Sequence, residues 1–588
     1  MTGDFDRVDV RIAEPEVDRA PVSATLRLEG AVKEASDTCR GRMFFLAIAF
    51  CAAFVVVGGR LVEVMAMQAS DGPMAQSTTA APLGRADIVD RNGLLLATNL
   101  PTASLYAEPR RVIDPVEAAN HLIGVLPELD RDDLIAKLST ERGFVWVQRN
   151  LTPRQQADIH ALGIPGIAFM REERRVYPQG GLTAHVVGFT DIDRQGLAGI
   201  EAHFDSELQS RAAEDDEPLE LSIDLRFQQI VREELAAAIE KFSAIGGAGL
   251  ILDVRTGEVV AMVSLPDFDA NRPMGGDPDA LFNRATLGVY EIGSIFKVFT
   301  AAMALDAGVV NMTSGYDASN PIQIARFTIR DYKPKNRWLS LPEILVYSSN
   351  IGAAKMALDV GAEGQQAFLR RIGLLSETQV EMPERGQPMY PATWREINTM
   401  TIGFGHGIAV TPVQAAAAFA AMVNGGTLYQ PTLLRWNSDD PRPGVQVISR
   451  ETSDKIRLLT HLVVLYGSGR NAQVPGYLIG GKTGTAEKLD SRGGYNEDRL
   501  LSSFMGAFPI DDPRYVVMVM VDEPNGIPET YGYATAGWVA APTAGNIIAR
   551  IGPLAGIAPR NNRLPELPPA EGDADEQLEA ILAAFAAR

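Results

Sequence analysis

What the chain lacks narrows its chemistry first. Only two of its 588 residues are cysteine, Cys39 and Cys51. Everything beyond residue 51 therefore carries no disulfide and no thiolate site, a composition compatible with an oxidising compartment. The six histidines (His121, His160, His185, His203, His406 and His461) are scattered without ligand spacing, so no metal site and no cofactor is expected. Positive charge is scarce: 54 Lys and Arg stand against 74 Asp and Glu, a formal charge of −20, and no basic stripe is visible. That balance excludes a nucleic-acid binder. Long apolar runs are nearly absent too. The single exception, residues 43–59, is bounded by Arg42 and Arg60.

That run organises the N-terminus. Residues 1–42 are polar with mixed charge and read as a disordered cytoplasmic tail. Residues 43–62 read as a transmembrane anchor whose flanking arginines can snorkel. Lys33, Arg40 and Arg42 precede it, and no Lys or Arg follows Arg60 until Arg85, which places the N-terminus in the cytoplasm. A cleaved signal peptide fits less well, because the leader is long and no small-x-small site follows directly.

A chain of this length exceeds one hydrophobic core. Residues 63–240 read as a mixed α/β pedestal. A strand at 88–89, the turn Asn92-Gly93 and a returning strand at 94–97 open it, and helices follow at 115–126, 130–138 and 154–162. Nothing in it has catalytic spacing, and His185 reads as structural. A helix capped by Asp224 runs to Phe242 and is broken by Gly246-Gly247. Residues 241–555 then form the second domain. It has a hairpin at 248–254 and 258–264, strands at 478–486, 502–508 and 515–521, and a closing helix at 541–551. Residues 556–588 are rich in proline and acid. Leu578, Ile581, Leu582 and Phe585 there follow i, i+3, i+4, i+7, a short amphipathic helix of the kind that ordinarily frays.

The chemistry is concentrated at residues 291–300. Ser294 and Lys297, three apart, share a helix face. The surrounding run is apolar nearly all round, so Lys297 is buried, and burial drives a lysine toward its neutral form. A neutral amine beside a hydroxyl is a general base beside a nucleophile. Gly293 permits a sharp turn before Ser294, which then lies at a helix N-terminus where N–H groups can stabilise an oxyanion. Ser348-Ser349-Asn350 follows on a loop between two helices, the second running 351–360. Lys482-Thr483-Gly484-Thr485 follows on a strand whose glycines let a ligand backbone approach. His406, set among glycines in residues 403–407, reads as positional, since Ser294 already has a base.

S-x-x-K, S-x-N and K-T-G in this order are the signatures of penicillin-binding proteins and serine β-lactamases. With residues 85–93, 175–178, 184–185, 199–201, 403–412, 482–488 and 503–509, the chain resembles the class B penicillin-binding proteins, most of all the division-specific (septal, FtsI-type) D,D-transpeptidases. Ala86, Ile295-Phe296 and Ser349 depart from the commonest residues of that family, yet no reacting group is lost. No glycosyltransferase-sized segment precedes the pedestal, which argues against the bifunctional class.

The resemblance implies a single-pass, membrane-anchored α+β protein. An elongated, non-catalytic, dimerisation-type pedestal would lead into a β-lactamase-like transpeptidase domain, an antiparallel sheet sandwiched by helices. It implies Ser294 as nucleophile, Lys297 as its base, and Ser348 with Lys482 as the relay to the leaving D-alanine. Asn350 would bond the substrate amide. Thr483, Gly484 and Thr485 would line the carboxylate and oxyanion site. The implied ligands are D-Ala-D-Ala stem peptides and β-lactams. The implied partners are an FtsW-type glycan polymerase and other division proteins, at the septum. The alternatives are an elongation-type enzyme, a β-lactamase or sensor, and a catalytically silent scaffold.

Overall fold

The structure, a computed structural model, describes residues 84–588 except 215–216, 274–276, 325–326, 438–440, 490–493, 561–563, 565–566, 568–571 and 588, together with residues 52, 54 and 55. The expected anchor at 43–62 thus lies almost wholly outside the described residues. Among those described, no helix is long and apolar enough to cross a membrane.

The first sheet contains β1 (Ile88–Val89), β2 (Leu95–Ala107), β3 (Val145–Leu151), β4 (Ile167–Val176) and β5 (Leu219–Glu220). Long β2 pairs antiparallel with β1, β3 and β4, and β5 closes the edge parallel to β1. Three helices, α1 (Pro115–Val125), α2 (Arg131–Leu138) and α3 (Pro153–Leu162), pack Leu122, Leu134, Leu138 and Ile159 against Leu105, Val147 and Leu151 of its far end. Each starts where the sequence caps it: Asp114, Asp130 and Thr152 accept N–H groups of the first turn.

Near β1 the stretches around residues 85, 175 and 201 meet. Glu201, wholly buried, takes Arg85 Nε at 2.5 Å on one carboxylate oxygen and Arg175 Nε at 2.7 Å on the other. Arg175 also donates to the carbonyls of Arg85 (3.1 Å) and Ala86 (2.9 Å). Distant segments are thereby fastened by one buried ionic knot.

The second sheet is antiparallel throughout. Its strands are β6 (Gly246–Asp253), β7 (Val259–Leu265), β8 (Gly480–Leu489), β9 (Tyr495–Phe508) and β10 (Tyr515–Asp522), in the order β8-β9-β10-β6-β7. Successive side chains alternate between the two faces, and every residue of β6, β7 and β10 is buried, so both faces are covered. Ile251, Val517, Val519 and Val521 face α4 (Leu225–Lys241) and a C-terminal helix (Ala540–Leu554); Leu250, Leu252, Val516, Met518 and Met520 face a large helical layer. Gly246 and Gly247 are strand residues rather than a bare break. A Cβ on Gly247 would lie 2.5 Å from Met520 O and 3.0 Å from Leu235 Cδ1, so glycine is what lets α4 lie close to the sheet.

The helical layer includes α5 (Phe296–Asp306), α6 (Leu341–Val346), α7 (Asn350–Arg371), α8 (Glu396–Gly403), α9 (Pro412–Val423) and α10 (Arg450–Tyr466). The helix expected to stop before Gly361 does break there, at φ 80°, but helix resumes to Arg371 because Gln365, Phe368 and Leu369 still have core to bury. The tail also departs from expectation. Its helix, Ala574–Ala587, does not fray: Leu578, Ile581 and Phe585 are buried, and Tyr466 at the end of α10 donates to Gln577 Oε1 at 3.1 Å.

Candidate active site

Three segments converge on the N-terminus of α5. A short 3₁₀ turn, Gly293–Ile295, delivers Ser294. Gly293 is left-handed (φ 54°) and lies against the third motif: an added Cβ would sit 2.7 Å from Thr485 O. The loop after α8 presses on the same turn. A Cβ on Gly405 (φ 92°) would fall 1.9 Å from Gly293 O, which accounts for the glycines around His406. Thr300 Oγ1 ties α5 to the end of α8 by donating to Gly403 O at 2.8 Å.

Lys297 is buried, 1% exposed, and its Nζ is the hub. It lies 2.9 Å from Ser294 Oγ, 2.6 Å from Ser348 O, 3.1 Å from Ser348 Oγ and 2.7 Å from Asn350 Oδ1. The Ser348 carbonyl and the Asn350 Oδ1 can only accept. A neutral amine spends its two N–H bonds on them and turns its lone pair to the Ser294 hydroxyl. Burial first, then the charge of Lys482, hold Lys297 well below the ordinary lysine range, with Asp331 acting the other way. Ser348 sits in the left-handed region at φ 58°, an unfavourable conformation for a residue with a Cβ. That strain turns both its oxygens toward the lysines, a feature commonly concentrated at functional sites.

Lys482 on β8 is fully buried, and burial alone lowers it to about 7. Its Nζ lies 3.0 Å from Ser348 Oγ, 3.0 Å from Thr483 O and 3.5 Å from Thr483 Oγ1. Ser348 Oγ thus stands between two amines, an unbroken path for a proton. Gly484 is packed against Ile292 O, where a Cβ would approach to 2.1 Å. Thr485 Oγ1 accepts the Ala536 N–H at 3.1 Å, so its hydroxyl still has a proton to donate.

All eight sequence-picked residues therefore share one cleft. His406 does not bond the nucleophile. Its ring lies 5.4 Å from Phe404 and 5.3 Å from Tyr495, and burial drops it to about 4, so it is neutral. His185, likewise lowered to about 4 by burial, packs edge-on against Phe268.

Sequence reasoning missed the supports. Asp331 accepts from Ser349 Oγ (2.7 Å) and Ile351 N (3.0 Å), and Arg330 O accepts from Asn350 Nδ2 (2.9 Å), so residues 330–331 fix the second motif. Ser468 Oγ lies 2.5 Å from Thr483 Oγ1. Glu291 Oε1 accepts the Gly407 N–H at 2.8 Å and the Tyr495 hydroxyl at 3.2 Å. Of these only Glu291 had a local signal, three residues before the nucleophile.

The chain matches the family model "Penicillin binding protein transpeptidase domain" over residues 247–549 and "Penicillin-binding Protein dimerisation domain" over 80–216. It is 39% identical over 543 residues to the probable peptidoglycan D,D-transpeptidase FtsI of Caulobacter vibrioides, covering 90% of this chain and 91% of that one. It is 31% identical over 500 residues to the peptidoglycan D,D-transpeptidase FtsI of Escherichia coli strain K12, covering 79% and 83%. Penicillin-binding protein 3 of Mycobacterium tuberculosis, solved with aztreonam, shares the fold at a TM-score of 0.64 and 24% identity, over 82% of this chain and 98% of that one.

Proposed function

Since the chain belongs to the class B penicillin-binding proteins, we propose that it is a serine D,D-transpeptidase that cross-links peptidoglycan stem peptides during septal wall synthesis. One observation carries the chemistry: a buried Lys297 amine stands 2.9 Å from the Ser294 hydroxyl, with the Ser348 carbonyl and Asn350 Oδ1, which can only accept, to take its two N–H bonds.

Ser294 Oγ attacks the carbonyl between the terminal D-alanines and gives its proton to neutral Lys297. The N–H groups of Ser294 and Thr485 hold the oxyanion, each donor worth about 10²–10³ in rate. As the C–N bond breaks, a proton passes through Ser348 between Lys297 and Lys482 to the departing amine. Lys482 with the Thr483 and Thr485 hydroxyls binds the terminal carboxylate, and Asn350 bonds the substrate amide. A side-chain amine of a neighbouring stem then attacks the ester, forming the cross-link and returning the proton to Ser294. β-Lactams acylate the same oxygen.

The same reading includes the anchor at residues 43–62, an extracytoplasmic catalytic domain, residues 63–240 as pedestal, and docking to an FtsW-type polymerase and other division proteins. The experiment is labelling of the full chain in detergent with a fluorescent penicillin, beside Ser294→Ala. Stable labelling that disappears in the variant is expected. Rapid loss of label would make it a β-lactamase, and no labelling of the folded wild type would overturn the enzyme reading.

A further inference from the structure

The tail helix, Ala574–Ala587, lies beyond residue 549, where the match to the transpeptidase model ends, yet it is fastened to the catalytic domain. Ile581 is wholly buried, and Leu578 and Phe585 nearly so. The helix packs on α10, whose last residue, Tyr466, donates to Gln577 Oε1 at 3.1 Å. A helix of this length is marginal in water, so these residues are helical because they are docked. Released, they lose seat and helix together, which makes the segment a two-state element. Residues 561–573 separate it from Arg560, whose N–H donates to Gly476 O at 2.7 Å. That is enough chain for the helix to leave without disturbing the domain.

Its seat adjoins two serine turns. Gly467 and Ser468 follow Tyr466 directly, and Ser468 Oγ lies 2.5 Å from Thr483 Oγ1. Tyr347 caps the end of α6, and Ser348 comes next. α6 packs on α10, and the two turns touch: a Cβ on Gly467 would lie 2.6 Å from Val346 O. Close-packed groups cannot yield without moving their neighbours, so a shift at the end of α10 reaches both Thr483 and Ser348.

Charge favours the same seat. Residues 330–337, which fix the second motif, carry Arg330, Lys333, Lys335 and Arg337 against Asp331 alone. The start of the tail helix carries Asp575, Glu576 and Glu579. Lys335 Nζ lies 4.1 Å from the centre of the Tyr347 ring. Burial first, then the charges of Glu343, Asp575 and Glu579, push the Tyr347 hydroxyl up, against Arg337. Arg337 is raised first by its hydrogen bond with Glu343 and also by the charge of Glu579. The acidic end of the helix therefore lies within reach of Tyr347 and of the basic segment beside it.

We propose that the tail helix is a positioning element for acylation: docked against the end of α10 and beside Tyr347, it holds the turns that present Ser348 and, through Ser468, Thr483. The proposal rests on the transpeptidase reading and adds a control on that same site. Leu578, Ile581 and Phe585 touch no reacting atom and act through the two turns; no bond is made or broken at the helix.

The test is the rate at which a fluorescent penicillin acylates the full chain in detergent. Ile581→Glu puts a carboxylate where a wholly buried side chain stood and should expel the helix, seen as rapid amide exchange over residues 574–587. Acylation of the folded variant should fall about tenfold, the effect of roughly one lost hydrogen bond. A synthetic peptide of residues 572–588 should restore most of the rate, and the same peptide carrying Ile581→Glu should not. In a Ser468→Ala background Ile581→Glu should cost less than it does alone, which a general loss of stability would not reproduce. An unchanged rate with the helix expelled, equal losses in the two backgrounds, or a loss that the peptide does not repair each overturns the proposal. Should Ile581→Glu not fold, or keep its helix docked, a protease site placed within residues 568–571 and cut after folding releases the helix on dilution, and the rate with and without the peptide decides. The wild type separates the two levels. If it labels and release of the helix changes nothing, the positioning role alone is lost; if the folded wild type never labels, the transpeptidase reading is lost and the positioning role with it.

Discussion

Two regions of this molecule bury a pair of cations and treat them in opposite ways. Near β1, Arg85 and Arg175 converge on Glu201, and both guanidinium groups also find backbone carbonyls. In the cleft, Lys297 and Lys482 converge on Ser348, with hydroxyl, carbonyl and amide oxygens around them and, among the described residues, no carboxylate bonded to either. A buried cation with a carboxylate stays charged and fastens segments together. A buried amine with only neutral acceptors is driven toward its neutral form and becomes available for proton transfer. Burial alone therefore does not mark a site; the nature of the partner does.

The largest effect should come from breaking the paired region. Glu201→Ala leaves two buried arginines without their counter-charge, and such a loss costs about 3–5 kcal/mol of stability. Thermal unfolding of the full chain would register it as a drop in Tm, while the folded fraction keeps its rate of penicillin labelling. A Tm close to wild type would mean that the knot is not what holds residues 85, 175 and 201 together.

The unpaired region should respond in the opposite direction. Lys482 titrates at about 7 in the folded chain, against about 10.4 when unfolded. Between those values the unfolded chain binds more protons, so stability rises with pH across that window and the penalty of burying this lysine is complete below pH 7. Lys482→Met removes the penalty. It should raise Tm at pH 6–7 by on the order of a few degrees, with the gain gone near pH 10. Acylation should fall at the same time, by about 10²–10³ if the charge acts on the substrate as an oxyanion donor does. A lower Tm at pH 6–7 would contradict the account of Lys482 as a group strained by its surroundings.

The same contrast sets what could be read from sequence. The convergence of Ser294, Lys297, Ser348, Asn350 and residues 482–485 was legible because the chemistry proposed for them needs one residue type at one place, and three short motifs record that. The second sheet was legible because its apolar runs are continuous and punctuated by Arg255-Thr256-Gly257 and Asp511-Asp512-Pro513. The supports were not legible. Asp331 acts through two hydrogen bonds across 18 and 20 residues of chain and Ser468 through one across 15, and either could have been another polar residue on a loop. The ionic knot was visible only as three separate stretches; pairing over 116 residues leaves no periodicity. The C-terminal helix was visible as a pattern, but the groove that receives it is tertiary.

Asp331 allows the finest test, because it is the carboxylate whose charge bears on Lys297 without bonding to it. It holds Ser349 Oγ at 2.7 Å and the Ile351 N–H at 3.0 Å, and its charge raises Lys297 against the effects of burial and of Lys482. Asp331→Asn removes the charge and keeps an acceptor for Ile351, and the Ser349 hydroxyl can rotate to accept from the new amide. The loop should therefore stay in place, and acylation at neutral pH should fall by no more than about tenfold, the cost of roughly one weakened hydrogen bond. The informative quantity is the acid limb of the pH profile for penicillin acylation, where protonation of Lys297 removes the base. With the negative charge gone, Lys297 holds its proton less firmly, so the limb should move to lower pH. A limb that stays still would mean that Asp331 is only a clamp on the second motif. A limb that moves to higher pH would mean that Lys297 is not the group being titrated, and the distinction between paired arginines and unpaired lysines would lose its chemical half.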